Sequence, residues 1–538
     1  MASHILIKFL GLIYKIYLTN KEGFGDKGNA ICGSGFQIYA LLLTISSIGI
    51  PNAISKLVSE KVAVGNYKGA HKTFKIAFAL FSSVGFGCSL ILYLFAKPIA
   101  NIWLQIPEAE YTLMTLSPSI FFVTLISAIR GYFNGRENLK VTAKSQTIEQ
   151  VTKIIFTILV VESFSIISGA DTTIMAAGAN LGTTFATIIG FIYLYFYYIS
   201  SRKEIGNEIK IGNNKNIRVK DTIRSVLVVS LPMTITAFLG SMNKTIDSVT
   251  VVRGLKNFMT ESNAKAEYGI IAGKIDTLIM LPMSFNIALI TSLIPKISSW
   301  VAIGDIKRIK KLISSSVLLT LLIGIPCTFG MFFFASPILK LLFPNQNAGA
   351  FTLQISSISI VFIMLEQTIN GILQGLGKHM LPTWALLSGA VVKLILNLLL
   401  VHLNSNYYIF GGINGAAFST VVCHIVILFI EYLLLKKELK IKLNINFYTL
   451  FKIFCSVFIM IISSKYLYNT LLLNFSQNIS LVISIAFAVF IYLLLIFLTR
   501  IINFREIVNK KLKTNWETRS MESGNDKEYM RRTILKLR

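Results

Sequence analysis

Apolar runs separated by short polar breaks recur along the whole chain. Their length suits a bilayer, whose hydrocarbon core a helix of about twenty apolar residues crosses. In the first half the pattern predicts spans near Ile5–Leu18, Gly33–Val58, Phe74–Phe95, Leu113–Phe133, Gln146–Val161 and Ala176–Ile199. In the second half they fall near Ile223–Val251, Tyr268–Leu293, Ile313–Phe334, Leu353–Leu373, Thr383–Leu403 and Gly412–Leu435. Two more follow near Phe447–Tyr468 and Asn478–Thr499. The first run is short, so it either continues upstream or begins in the membrane interface. The fold class expected is all-α integral membrane, with about fourteen transmembrane helices.

Charge placement tests that count. If alternate loops share a side, one set together with the segment 500–538 holds 36 Lys and Arg residues, and the opposite set holds seven. An asymmetry in phase with fourteen spans is the positive-inside pattern, and it predicts a multi-pass plasma-membrane protein with both termini cytoplasmic. Only 14% of the 538 residues are charged and 54% are hydrophobic. The net charge of +27 therefore sits in short loops facing anionic membrane lipids, and nucleic acid is not an expected partner. The five cysteines are scattered without a CxxC spacing, so neither a disulfide framework nor a zinc site is indicated. The N-terminal run is broken by Lys8 and Lys15 and lacks a small-residue cleavage site, which does not read as a signal peptide.

The chain repeats itself. Gly131–Val161 aligns with Gly371–Val401 at a constant offset of 240 without a gap. LYLFAKPIANIWL at Leu92–Leu104 matches MFFFASPILKLLF at Met331–Phe343, and VAVGN at Val62–Asn66 matches VAIGD at Val301–Asp305, both at 239. Six spans, an even number, separate equivalent points. The halves should therefore share one orientation and form two parallel six-helix lobes related by an axis along the membrane normal. The expected organisation is a first lobe at 1–205, a linker at 206–220, a second lobe at 221–440, two additional helices at 441–503 and a basic tail at 504–538. The pairs Gly131/Gly135 and Gly371/Gly375 have the spacing that lets helices approach closely.

Charges inside the spans carry the candidate chemistry. Each lysine at bilayer depth costs roughly 2.5–3.5 kcal/mol on an insertion scale, so one that persists there lines a cavity, pairs or snorkels. Lys452 and Lys465 lie near span ends and read as snorkelling, and Lys8 and Lys56 lie near the cytoplasmic edge. Lys15, Lys153, Lys244, Lys274 and Lys393 are flanked by apolar residues on both sides. Acids are fewer. Asn243 and Asp247 share a helix face, Lys244 is spaced to reach Asp247, Asp276 points away from Lys274, and Glu366 opens EQTING. A basic cavity with a few acids suits an anion such as a pyrophosphate head group and disfavours an organic cation. Lys8, Lys15, Lys56, Lys153, Lys244, Lys274 and Lys393 are the expected substrate contacts, and Asp247, Asp276, Glu366 and Asn397 the expected coupling residues. No metal ligand set and no cofactor is expected.

Enzyme readings find no support. HExxH, GxSxG and Walker A sequences are absent, the five histidines are dispersed, and His424 reads as a packed helix residue. A duplicated chain with paired lysines at hydrocarbon depth reads as a membrane transporter, and without a nucleotide site transport must be driven by an ion or by the membrane potential.

Three stretches carry a family resemblance: GIPNAISKLVSEK at Gly49–Lys61, RGYFNG with SQTIEQ at 130–135 and 145–150, and LPMSFNIALITSLIPKIS at Leu281–Ser298. Together they resemble the stage V sporulation protein B branch of the polysaccharide-transporter family. That branch sits in one superfamily with MurJ-type flippases and the multidrug and toxic-compound extrusion transporters. The resemblance runs to about residue 505. It implies fourteen helices in two lobes around a cationic cavity, and movement of undecaprenyl-pyrophosphate-linked glycans, lipid II above all. Lys8 and Lys15 flank Leu10-Gly11 where the family places basic residues. The MurJ-type arginine of the eighth helix is replaced by Thr277, with Lys274 the nearest cation. Some relatives hold sodium between an aspartate of the seventh helix and an Asn-x-x-x-Asp pair of the eleventh. Here Asp247 remains but the pair reads Lys393-x-x-x-Asn397, so the Lys393 ammonium is expected to stand in for the ion. Two other readings stay open: a small-molecule exporter of the extrusion type, and a non-transporting membrane partner that anchors cell-wall synthesis proteins through its basic tail.

Overall fold

The computed structural model describes residues 2–167, 169–211, 218–378, 380–405, 407–439 and 447–501. Among them no strand occurs, and every long element is a helix. Among the described residues thirteen helices are long and apolar enough to cross a membrane. With α1 (Ala2–Asn20) leading, they are α2 (Gly25–Ala63), α3 (Tyr67–Leu94), α4 (Ala109–Gly135), α5 (Leu139–Ile167), α6 (Thr172–Ser200) and α7 (Val219–Leu255). There follow α8 (Glu261–Val301), α9 (Ile306–Phe333), α10 (Ala350–Gly375), α11 (Leu381–Leu400), α12 (Gly412–Glu438), α13 (Phe447–Leu471) and α14 (Gln477–Leu498). The all-α membrane class with about fourteen helices is therefore found.

The duplication is visible in local structure. Gly65 (φ +72°) ends α2, and Asn66 then caps α3 by accepting a bond from the Gly69 N–H at 2.9 Å. At the equivalent place Gly304 (φ +76°) ends α8 and Asp305 caps α9 by accepting from the Arg308 N–H at 3.0 Å. A left-handed glycine followed by an Asx cap is the cheapest way to stop one helix and start the next. The turn after α4 repeats after α10: the Asn138 N–H donates to the Phe133 carbonyl and the Lys378 N–H to the Leu373 carbonyl, each at 2.9 Å. Packing repeats too. In the first half α4 lies on α2, α3 and α6, and α5 on α6; in the second, α10 lies on α8, α9 and α12, and α11 on α12.

The GxxxG pairs let those central helices sit close. A Cβ added at Gly131 would stand 2.8 Å from the Pro51 carbonyl oxygen, and one at Gly135 2.6 Å from that of Ser55. In the second half a Cβ at Gly371 would meet Ile290 Cγ2 at 2.4 Å, and one at Gly375 would meet Ile297 Cβ at 2.8 Å. Both contacts are α4 on α2 and α10 on α8, which only a residue without a side chain permits. The two halves meet through α1, α2, α7 and α8, since α2 packs on α7 and α8, and α1 packs on α5 and α8. Two of these interface helices contain π-helical turns, Thr44–Ile48 in α2 and Ile270–Ile275 in α8. Such turns commonly occur where a side chain must be re-aimed.

The chain divides into compact units at 1–444 and 445–538. In the second unit α13 packs on α14, and Lys452 reaches the end of α14 to donate to the Thr499 carbonyl at 3.0 Å. A cation there satisfies one of the carbonyls left open at a helix C-terminus. The linker residues 212–217, His379 and the basic tail 504–538 lie outside the described residues, as does the side chain of Lys8.

Candidate functional site

The intramembrane lysines sort into three settings. The first is a set of cross-helix ion pairs. On α11, Lys393 is 1% exposed and its Nζ lies 2.6 Å from Asp247 Oδ2 of α7. Asn397, one turn on, donates from Nδ2 to Asp247 Oδ1 and to Thr250 Oγ1, each at 2.9 Å. Lys244 of α7 bonds to Asp276 Oδ2 of α8 at 2.9 Å. This corrects the sequence expectation that Lys244 reaches Asp247. Three residues along a helix leave the two side chains about 60° apart, so Asp247 faces α11 while Lys244 faces α8. Neighbouring helices therefore supply both partners.

The second setting joins the halves at the end whose loops are poor in Lys and Arg. Lys274, in the π-helical turn of α8, is fully buried; its Nζ bonds to Asp26 Oδ2 of α2 at 2.8 Å and to the Gln346 carbonyl at 2.7 Å. Lys265 of α8 meets Glu108, just before α4, at 2.6 Å. Backbone contact is equally close. A Cβ at Gly269 would stand 1.8 Å from the Asp26 carbonyl oxygen, and one at Gly273 2.3 Å from Asn29 Cγ. The Asn20 amide adds a bond to the Leu342 carbonyl at 2.8 Å. This end is closed. Nearer the opposite end α2 and α7 also touch, where a Cβ at Gly49 would lie 2.5 Å from the Ser230 carbonyl oxygen.

In the third setting the lysine has a neutral neighbour. Lys15 of α1 donates to Asn29 Oδ1 at 3.0 Å, and Asn29 in turn donates to Thr19 Oγ1 at 2.9 Å. Lys153 of α5 stands over the rings of Tyr14 and Phe36, 5.6 and 5.3 Å from their centroids. Tyr14 thus brings Lys153 beside the helix that carries Lys15. Lys56 is exposed on α2, toward the Lys- and Arg-rich end.

A cavity of about 250 Å³ in the second half gathers Lys244, Asp247, Asp276, Glu366, Lys393 and His424. The two lysines are matched by the carboxylates they bond, so the cavity is ionic but not strongly basic. Glu366 faces His424, whose Nδ1 lies 2.6 Å from its Oε2. Sequence reasoning took His424 for a packing residue, and it did not register Asp26, Glu108 or Glu431. Asp26 precedes the predicted start of its span. Glu431 stands alone in the apolar run ILFIEYLLL, and that signal was legible. Among the described residues no group of three or more His, Cys, Asp or Glu could hold a metal ion.

A duplicated helical membrane protein with buried charge pairs at the seam of its halves has the form of a transporter. Comparison with known proteins agrees. Residues 1–301 match the model of the polysaccharide biosynthesis protein family, and residues 262–399 match the MatE model. The lipid II flippase MurJ of Bacillus subtilis is 26% identical over 454 residues, covering 80% of each chain. Stage V sporulation protein B of the same organism is 25% identical over 513 residues, covering 94% of this chain and 95% of that one. A solved structure of lipid II flippase MurJ in an inward closed conformation superposes with a TM-score of 0.68 at 17% identity, over 94% of this chain and 99% of that one. The chain is a multi-pass membrane protein of the flippase and exporter class, a transporter and not a catalyst. It belongs to the polysaccharide biosynthesis protein family.

Proposed function

We propose that this chain is a flippase that carries a polyprenyl-pyrophosphate-linked glycan, lipid II or a related precursor, across the plasma membrane by alternating access. In this reading the Lys- and Arg-rich loops are cytoplasmic, against anionic lipid head groups, and the end sealed by Asp26–Lys274 and Glu108–Lys265 is extracellular. The observation that carries it is Lys15. Its ammonium sits at the seam of the halves on a neutral amide oxygen, so its charge is uncancelled by that partner. Lys15 offers a pyrophosphate strong, charge-assisted bonds, with Lys153 over the ring of the adjacent Tyr14, while the polyprenyl tail stays in lipid. Lys274 holds the Asp26 carboxylate across the seam in the closed state and is freed as the halves part, whereas Lys244 and Lys393 hold carboxylates within the second half.

The test is depletion in a strain lacking other flippases, complemented with Lys15→Gln or wild type. The reading predicts lipid II accumulating on the inner leaflet on depletion. It also predicts complementation at least about tenfold weaker for Lys15→Gln, the loss expected of one hydrogen bond to a charged group. The MatE match over residues 262–399 supports a second reading, export of small molecules. Normal precursor levels with altered drug sensitivity would favour it.

A further inference from the structure

The second half contains a string of titratable groups that neither the ion pairs nor the lysines explain. Glu431 of α12 is fully buried, and neither of its carboxylate oxygens has a hydrogen-bond partner among the described residues. An ionised carboxylate is not kept in such a place without compensation, whereas a neutral carboxylic acid is tolerated. His424 lies seven residues earlier, two turns back on the same face of α12. It bonds to Glu366 of α10 with both residues buried, so one proton lies between His424 Nδ1 and Glu366 Oε2 whichever atom holds it.

The string opens at Glu366, toward two cavities. Glu366 lines the 250 Å³ cavity and also a second one of about 310 Å³, which it shares with Asn370 and Gln374. Glu366, Asn370 and Gln374 recur every four residues, forming one polar stripe on α10 that runs to its Lys- and Arg-rich end. The Gln374 amide donates to Asn370 Oδ1 at 2.8 Å. The helices packed on α12 present few other charges. Within their spans α10 carries Glu366 alone and α11 carries Lys393 alone. Asp247 and Lys244 of α7 face the same cavity, Lys393 and Asp247 cancel each other, and Lys378 at the end of α10 is paired with Glu438 at 3.0 Å. Nothing cationic among them is bonded to Glu431.

We propose that Glu366, His424 and Glu431 form a proton-binding site, Glu431 holding an exchangeable proton that enters and leaves through the Glu366–His424 pair. A proton taken from water in the Glu366 cavities passes to the His424–Glu366 pair, and a water bridging the two turns of α12 carries one proton on from the pair to the Glu431 carboxylate. Each transfer leaves the donor one proton poorer and the acceptor one richer, so the site as a whole gains one charge on loading. That proton supplies the drive for transport only if the flippase reading is right; its binding does not depend on that reading.

The experiment is infrared difference spectroscopy of the purified full-length chain in lipid nanodiscs, titrated from about pH 5 to about pH 9. The expected result is a carbonyl stretching band of a buried carboxylic acid that disappears as pH rises and is missing in Glu431→Gln. Its midpoint should move in His424→Gln. A band absent at every pH, constant across the range, or retained in Glu431→Gln overturns the proposal. Circular dichroism and thermal unfolding of Glu431→Gln establish that the variant is folded. If the band titrates but proteoliposomes of wild type move no lipid-linked substrate, the proton site stands and the flippase reading falls. If substrate does move, a pH gradient should change its rate about tenfold in wild type and leave Glu431→Gln unaffected.

Discussion

Replacing Lys393 with methionine removes one partner of a buried pair and leaves the other in place. The Asp247 carboxylate would then keep only the Asn397 amide as a strong donor, at 2.9 Å, with its side chain about one-tenth exposed. Breaking a buried pair in this one-sided way destabilises by about 3–5 kcal/mol, because the remaining charge is still out of water. Removing both charges in Lys393→Met with Asp247→Asn costs far less, since an asparagine at 247 can still bond to Asn397. Lys15→Met is the control. Its lysine is only half-buried and donates to a neutral amide, and the loss expected is about 1 kcal/mol. The assay is thermal inactivation of the four proteins in nanodiscs at one fixed scan rate, since membrane proteins of this size unfold irreversibly. The order expected is Lys393→Met well below Lys15→Met, with the double variant recovering most of the gap. A double variant no more stable than Lys393→Met would refute the pairing argument, as would equal effects of the two lysine changes.

Gly269→Val places side-chain atoms where a Cβ alone meets the Asp26 carbonyl at 1.8 Å, so the Lys-poor end should not close. A cysteine placed at Asn29 should then react with an impermeant maleimide several times faster than in the parent. Gly49→Val obstructs the α2–α7 contact near the other end and should leave that rate unchanged or lower it. Asp26→Asn removes the carboxylate from fully buried Lys274 and should also raise labelling at position 29; Asp26→Glu should restore part of the seal. Gly131→Leu forces α4 off α2 at Pro51 and should lower the yield of folded protein about as much as Gly371→Leu, its repeat-mate on Ile290.

The architecture was legible because it is written twice. A span count checked by loop charge, a repeat at offset 240 and the Gly-Asx pair at 65–66 and 304–305 each constrain the same helices. Helix starts were less legible. The run at Gly33 belongs to a helix that begins at Gly25, and the run at Tyr268 to one that begins at Glu261. Asp26, Asn29 and Lys265 make those first turns look like loop, yet they are buried where the halves meet. Polar residues satisfied by another helix carry the same letters as polar residues facing water. The site suffered from the same blindness. The sequence located Lys244, Asp247, Lys274, Asp276 and Lys393, but spacing along one helix gives no access to the register between two. Spacing therefore assigned Lys244 to Asp247, where the structure pairs it with Asp276; it was the family resemblance, not spacing, that set Lys393 against Asp247.

The repeated stretch shows how the two halves came to differ. Lys153 and Lys393 occupy equivalent positions, and each is followed four residues on by a polar side chain, Thr157 or Asn397. Thr157 is spent inside its own half: its hydroxyl donates to the Ala179 carbonyl at 3.1 Å, and Gly182 lies so close that a Cβ there would stand 2.2 Å from it. Lys153 is left toward α1 and its aromatic neighbours, at the seam. Asn397 instead turns to Asp247 and helps hold the Lys393 pair inside the second half. An anion arriving between the halves meets Lys15 on a neutral amide oxygen, whereas Lys393 yields its charge only at the cost of uncovering Asp247. On the proposed reading, recognition falls to the first half and the charge-sensitive step to the second. The second half is also the one that holds Glu366, His424 and Glu431. If that division holds, variants of Lys153 should alter how tightly substrate is held, and variants of Lys393 should alter how the rate responds to membrane potential and pH.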